Sequence, residues 1–276
     1  MVMEQTVDLE WPQDRRFYLT LDLECDYGTA LPENTYKAVE AVDRLASLLE
    51  RMEVPLTCFV QTELLEERPT AVEPLTRLSG ATLFPHSHTH QPRSTTDMDA
   101  EIATSTSRYE EHFDSSPAGY RLPNGNIRPA DYSTLADHGY SFDASLFPSW
   151  RPRKFDNRNA PTSPFYLPEY DIIEVPFTVL SDRLRVPTAL SYYRLVGRPF
   201  SWLLDARSPR PLIFNIHMHD LVTPSSSREL PRKYRLVYAR NDHGFDILER
   251  VLERFRADDY TFGTIDELTR DLRDQV

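Results

Sequence analysis

Short apolar runs alternate with stretches of helical periodicity along the whole chain. FYLTLDL, residues 17–23, carries β-branched and aromatic residues and is bounded by charge, which reads as a buried strand. Residues 35–52 set Val39, Val42, Leu45, Leu49 and Met52 on one stripe, which predicts a helix capped by Asn34 or Thr35. PLTCFV (55–60) and ATLF (81–84) read as strands, with a helix over roughly 69–79 between them, broken at Pro74. A helix over 97–113, capped by Thr96 or Asp97, precedes a short strand at 118–121, a helix at 128–138 and strands at 140–144 and 172–177. A helix within 187–205, the apolar strand PLIFNIH (211–217), a helix over 242–257, a strand at 259–263 and a helix over 265–274 complete the series.

Strands alternating with helices predict an α/β fold built on a parallel sheet or barrel. The chain has no dinucleotide-binding glycine fingerprint and no GKS or GKT loop. A barrel of seven or eight strands is therefore expected over a doubly wound sheet. No repeat or linker divides residues 1–276, so a single domain is expected. In such folds the chemistry sits at the C-terminal strand ends. The reactive residues fall there: Asp22, Glu24 and Asp26 after the first strand, His86, His88 and His90 after the third, then Arg121, Asp143, and His217 with His219.

The histidines occupy alternate positions in FPHSHTHQP, residues 84–92. An extended chain would spread the outer pair roughly 13 Å apart, so only neighbours could share an ion. A helical turn entered at Pro85 would instead stack His86 and His90 on one face and send His88 away. Composition narrows the class further. The net charge of −12 disfavours nucleic acid as a partner, and no apolar run is long enough for an ordinary membrane span. Two cysteines, Cys25 and Cys58, imply no disulfide framework. The opening MVMEQTVDLEWPQDRR has no apolar signal core, which predicts a cytoplasmic protein. Only three of the 31 basic residues are lysine, a bias shared by proteins from high-salt habitats and from GC-rich genomes. The 22 prolines against 8 glycines predict rigid loops.

Taken in order, five short segments resemble the motifs of the polysaccharide deacetylase family, also called carbohydrate esterase family four or the NodB-homology domain. They are TLDLECDYG, HSHTH, YRLPNG, FDASLFPSW and LIFNIH, and the closing YTFGTIDEL is similar as well. The likeness runs from about 17 to 268. It implies a distorted (β/α) barrel of about seven parallel strands. It also implies roles at the matching positions: Asp22 as catalytic base, His86 and His90 as metal ligands, and Arg121 as the partner that orients Asp22. His217 would be the general acid, tuned by Asp143, with Pro123 and Trp150 contacting substrate.

The first motif departs from the family's usual TFDDG, since Leu23 replaces its second aspartate. Glu24 is the expected third ligand, because it follows Asp22 by two residues on an extended strand; Asp26 is the alternative. His219, followed by Asp220, is the alternative acid. The resemblance implies a hydrolase that removes an N-acetyl group from an amino sugar in a glycan or glycan precursor. Zinc is the expected ion, with cobalt, iron or nickel also compatible. A cyclic amide or imide hydrolase of the allantoinase kind, on the same fold, and a glycan-binding barrel without activity are the competing expectations. Residues 144–171 and 222–241 are expected to shape the substrate groove.

Overall fold

The computed structural model describes residues 6–151, 155–232, 234, 235 and 243–276. Twelve strands are described: β1 (Val7–Asp8), β2 (Arg16–Leu23), β3 (Leu56–Val60), β4 (Ala81–Pro85), β5 (Gly119–Tyr120), β6 (Phe142–Asp143), β7 (Trp150–Arg151), β8 (Phe155–Asp156), β9 (Phe165–Leu167), β10 (Ile172–Glu174), β11 (Leu212–His217) and β12 (Thr261–Gly263). One sheet runs β11-β2-β3-β4, all parallel, with β12 paired to the first residues of β2. The other runs β1-β9-β10-β6-β5, and its β5, β6 and β10 are parallel. The two arcs meet where the Arg121 N–H donates to the Pro85 carbonyl, 3.2 Å away. On the far side, the Ile213 N–H donates to Thr178 Oγ1 at 3.0 Å, and Ala189 bridges Asn215 in parallel register. Seven parallel strands (β2, β3, β4, β5, β6, β10, β11) thus wrap a distorted (β/α) barrel, as expected from the sequence.

β2 is buried from Phe17 to Leu23, which is why it is apolar on both faces except at Thr20 and Asp22. The helix Val42–Arg51 packs its stripe of Val42, Leu45 and Leu49 against the same core as Leu19, Leu21 and Leu23. Residues 38–41 form a 3-10 turn ahead of that helix. Its cap is neither Asn34 nor Thr35: the Asp26 carboxylate accepts the Lys37 and Ala38 N–H groups at 3.0 and 2.9 Å. Pro69–Val72 is a 3-10 turn and Glu73–Thr76 a single α-turn, and the helix Thr62–Glu67 precedes them, where no helix was expected. Asp97 caps Met98–Phe113 by accepting the Asp99 and Ala100 N–H groups. The helix expected within 187–205 is two, Leu190–Val196 and Arg198–Arg207, divided at Gly197, whose φ of 73° suits glycine. Among the described residues, no helix is long and apolar enough to cross a membrane. Residues 152–154, 233 and 236–242, parts of the two expected groove segments, lie outside the described residues.

Candidate metal centre and active site

β2 carries Asp22 to the rim of the barrel, and the chain then bends. Tyr27 and Gly28 are both left-handed, with φ of 61° and 52°. The bend sends Asp26 away from the rim. Its carboxylate accepts from Thr35 Oγ1 (2.8 Å), Ser226 Oγ (2.6 Å) and the two N–H groups of the turn it caps. These donors fix it at the head of the first helix, so the expected alternative ligand serves as a tie. Glu24 turns the other way. Its Oε2 lies 3.3 Å from His86 Nε2 and 2.5 Å from His90 Nε2, and all three side chains are buried.

His86 and His90 meet, but not through a helical turn. Residues 86–90 form an irregular loop in which Ser87 and His90 are left-handed, with φ of 68° and 59°. Backbone bonds from Thr62 to the Ser87 carbonyl (3.0 Å) and from Glu63 to the His88 carbonyl (3.3 Å) hold the loop against the neighbouring strand end. The two rings lie 5.4 Å apart, centre to centre. His88 points aside, its Nδ1 3.1 Å from Thr62 Oγ1.

The trio fits a divalent cation. The His86 Nδ1–H donates to the Arg121 carbonyl at 2.9 Å, which leaves the Nε2 lone pair aimed at Glu24. Both ring nitrogens of His90 are buried without a hydrogen-bond partner, although its Nε2 is in contact with Glu24 Oε2. One ligand atom from each of Glu24, His86 and His90 falls within 4.8 Å of the others. Two imidazoles and a carboxylate are a donor set suited to zinc, which leaves a fourth position open in catalytic sites. Burial opposes ionisation of Glu24, but His90 and His86 outweigh it and hold the carboxyl well below its usual range. Gly28 closes the wall behind His90: a Cβ there would stand 3.0 Å from His90 Cε1.

Asp22 stands beside this trio on a separate set of bonds. Its Oδ1 accepts from Arg121 Nη1 at 2.7 Å, and its Oδ2 accepts from Asn215 Nδ2 at 3.1 Å. The Arg121 contact is through one N–H, not a two-pronged fork. The guanidinium is buried between the Phe59 and Phe177 rings, 3.9 and 4.4 Å from their centres, and its Nε donates to the Ala144 carbonyl at 2.9 Å. Burial opposes the Asp22 charge, but Arg121, His86 and His217 together pull its pKa below the usual value. Asn215 lies two residues before His217 on β11 and shares its direction, a relation that alternation alone could have suggested.

β11 pairs His217 directly with Asp22 in register. His217 Nε2 is 3.6 Å from Asp22 Oδ2 and 3.9 Å from Glu24 Oε1, while its Nδ1 is 2.9 Å from Asp220 Oδ2. Burial lowers the imidazole pKa, but Asp220, Glu24 and Asp22 prevail and raise it to about 9. His219 is the opposite case. It is buried with its Nδ1 accepting the Tyr27 N–H at 3.1 Å, and burial pushes it down to about 4. At neutral pH, then, His217 is the charged imidazole and His219 the neutral one.

Asp143, expected to tune His217, is elsewhere. It is fully buried on β6, accepts from Ser145 N and Oγ at 2.8 and 2.7 Å, and faces Glu174, its register partner on β10. Both pKa values are raised, first by burial, and Glu174 lies well above its usual range, pushed further by the Asp143 charge. Asp220 takes the tuning position because one helical turn after β11 brings it back over His217. Pro123 is buried at the head of a short 3-10 turn and lines a cleft of about 380 Å³ with Ser87, Leu122, Asn124 and Arg128. The Leu122 N–H above it is taken by Ser145 Oγ at 2.7 Å. Trp150 is not among the residues lining that cleft: it lies half-exposed on the β7–β8 hairpin, with the Arg158 guanidinium 5.7 Å from its ring centre. A larger groove, about 610 Å³, runs over Val39, Asp43, Arg68 and Pro69 and carries none of these site residues.

A family model described as Polysaccharide deacetylase matches residues 12–142. No curated protein matches the sequence. Among solved structures, a provisionally assigned polysaccharide deacetylase from Mycobacterium smegmatis superposes with a TM-score of 0.63 at 16% identity, covering 98% of this chain and 94% of that one. BA3943, a CE4-family pseudoenzyme from Bacillus anthracis, gives 0.56 at 13%, covering 93% of this chain and 66% of that one. PuuE allantoinase gives 0.57 at 14%, covering 97% and 93%. Identities this low speak for the fold alone, and that fold carries active and inactive proteins alike. Over residues 12–142 the chain matches the polysaccharide deacetylase family model, and its described residues have the fold that these solved proteins share.

Proposed function

We propose that the protein is a metal-dependent hydrolase that removes an N-acetyl group from an amino sugar in a glycan or glycan precursor. The observation that carries this reading is the placement of Asp22. A buried carboxylate stands next to the Glu24–His86–His90 trio without belonging to it, and a protonated imidazole faces it from β11. A metal ion held by that trio would polarise the acyl carbonyl and acidify a water molecule. The chain's own groups supply the proton transfers. Asp22, kept ionised by Arg121, accepts a proton at Oδ2 from the attacking water. His217 Nε2 donates a proton to the departing amine nitrogen, and Asp220 holds the imidazolium through Nδ1. The two pKa values are pushed apart, the arrangement that lets acid and base coexist near neutrality. The cleft of about 380 Å³ along Ser87 and Asn124 is the natural seat for the sugar ring.

A second reading keeps the site and changes the substrate. The likeness to PuuE allantoinase extends over almost the whole chain, so a cyclic amide is the competing class. A panel of acetamido-sugar oligomers and cyclic ureides, assayed with zinc-loaded and chelator-stripped protein, separates the two. Acetate release from the oligomers, lost on stripping and restored by zinc, is the expected result. Turnover of ureides alone would transfer the assignment to the second class. Turnover unaffected by stripping would remove the metal from the mechanism.

A further inference from the structure

His86 and His90 are held in place by different means. The His86 ring is oriented by its Nδ1–H bond to the Arg121 carbonyl. The His90 ring has no comparable tether to the backbone: its Nδ1 has no hydrogen-bond partner and its Nε2 faces Glu24 Oε2 at 2.5 Å, so its approach depends on how its own backbone is held. That backbone is left-handed and belongs to a loop without regular structure. Something outside the loop has to fix it.

Glu101, four residues into the helix Met98–Phe113, reaches back into the loop and is buried there. Its Oε1 accepts the N–H groups of His88 (3.0 Å), Thr89 (2.6 Å) and His90 (3.3 Å), together with the hydroxyls of Ser87 and Thr89. Three successive N–H groups converging on one oxygen form an anion-binding nest, here filled by the chain's own carboxylate. Without it those donors, the His90 N–H buried and the other two half-buried, would lose their acceptor. The loop would relax towards water and carry His90 away from Glu24.

We propose that Glu101 is a positioning residue for the metal centre: it shapes the 87–90 loop so that His90 converges with His86 and Glu24. This rests on the metal reading above. Because Oε1 alone collects all the backbone donors, glutamine can present its carbonyl oxygen there, whereas alanine removes the acceptor and aspartate falls one methylene short.

The test is zinc affinity, measured by competition with a chromogenic chelator on wild type, E101Q, E101A and E101D, each checked for folding by circular dichroism. The expected result is binding about 10- to 100-fold weaker in E101A and E101D, with E101Q recovering most of the loss. If E101A does not fold, E101D carries the comparison. Wild-type affinity in a folded E101A or E101D protein overturns the role of Glu101. A wild-type protein that binds no zinc at all sinks the metal reading instead, which keeps the two failures distinct.

Discussion

Asp220 Oδ2 lies 2.9 Å from His217 Nδ1, on the opposite side of the ring from Asp22. The carboxylate is itself secured by Ser191 Oγ at 2.8 Å and by the His217 N–H at 3.2 Å. One turn of helix after β11 therefore builds an acid whose outer nitrogen faces the reacting region and whose inner nitrogen is saturated.

The metal-free imidazole of His217 is accordingly expected to titrate near 9, by NMR. Zinc should lower that value, because a cation on Glu24 offsets one of the charges that raise it. D220N should lower it further, since it removes the strongest raising partner. The activity limb on the alkaline side should move the same way: His217 is competent only while protonated, so a lower pKa makes activity fall earlier as pH rises. A D220N enzyme whose alkaline limb stays in place would detach His217 from the acid role.

Replacing the base should separate chemistry from metal binding. Asp22 contacts Arg121 and Asn215 but is not one of the clustered ligands. D22N preserves the shape of the side chain and is expected to reduce kcat by about 10²- to 10⁴-fold. Zinc content, read by elemental analysis, should stay at the wild-type level. D22A is the harsher change. It leaves Arg121 charged and buried between two phenyl rings, and breaking such a pair costs about 3–5 kcal/mol. Chemical denaturation should show that loss in D22A and a smaller one in D22N.

Gly28 makes the wall of the metal centre testable without touching a ligand. Its φ of 52° disfavours any L side chain by roughly 1–2 kcal/mol, and an added Cβ would sit 3.0 Å from His90 Cε1. G28A should therefore lose stability by about that amount and also bind zinc more weakly. A variant that loses stability while binding zinc as tightly as wild type would show that the His90 ring tolerates displacement.

Much of this arrangement is legible in the sequence because the strands are buried on both faces. A segment as rich in aromatic and aliphatic residues as FYLTLDL favours a buried strand, and the residues at and after its end then fall at a barrel rim. What escapes sequence reading is set by contacts distant along the chain. Residues 86–90 adopt neither the extended chain nor the helical turn that their spacing left open, because Glu101, Thr62 and Glu63 supply or take up the loop's backbone bonds from outside. Spacing alone shows that Asp143 and Asp220 both lie near strand ends, but not which faces His217. β1 and β9 are two and three residues long, too short for any periodicity to register.

The Asp143–Glu174 pair predicts that the fold weakens as pH rises above the ordinary carboxylate range. Both carboxyls are fully buried on adjacent strands, and Glu174 also accepts from Tyr132 Oη at 2.8 Å and the Leu146 N–H at 2.9 Å. Its pKa is raised well above 4.5, chiefly by burial and by the Asp143 charge. A carboxyl whose folded pKa exceeds its unfolded one contributes stability below the unfolded value and loses it as pH rises through the folded value. Wild type should therefore lose melting temperature as pH rises from about 4.5 through the raised Glu174 value, as Glu174 is forced to ionise next to Asp143. E174Q keeps a donor towards Asp143 and has no proton to lose, so its melting temperature should fall less steeply with pH and gain on wild type as pH rises. E174A, which strands the Tyr132 hydroxyl and the Leu146 N–H, should be less stable at every pH, by about 1–3 kcal/mol for each group left unpaired. Parallel pH dependence of the melting temperature for wild type and E174Q from about pH 4.5 upwards would show that Glu174 is not raised above its ordinary value.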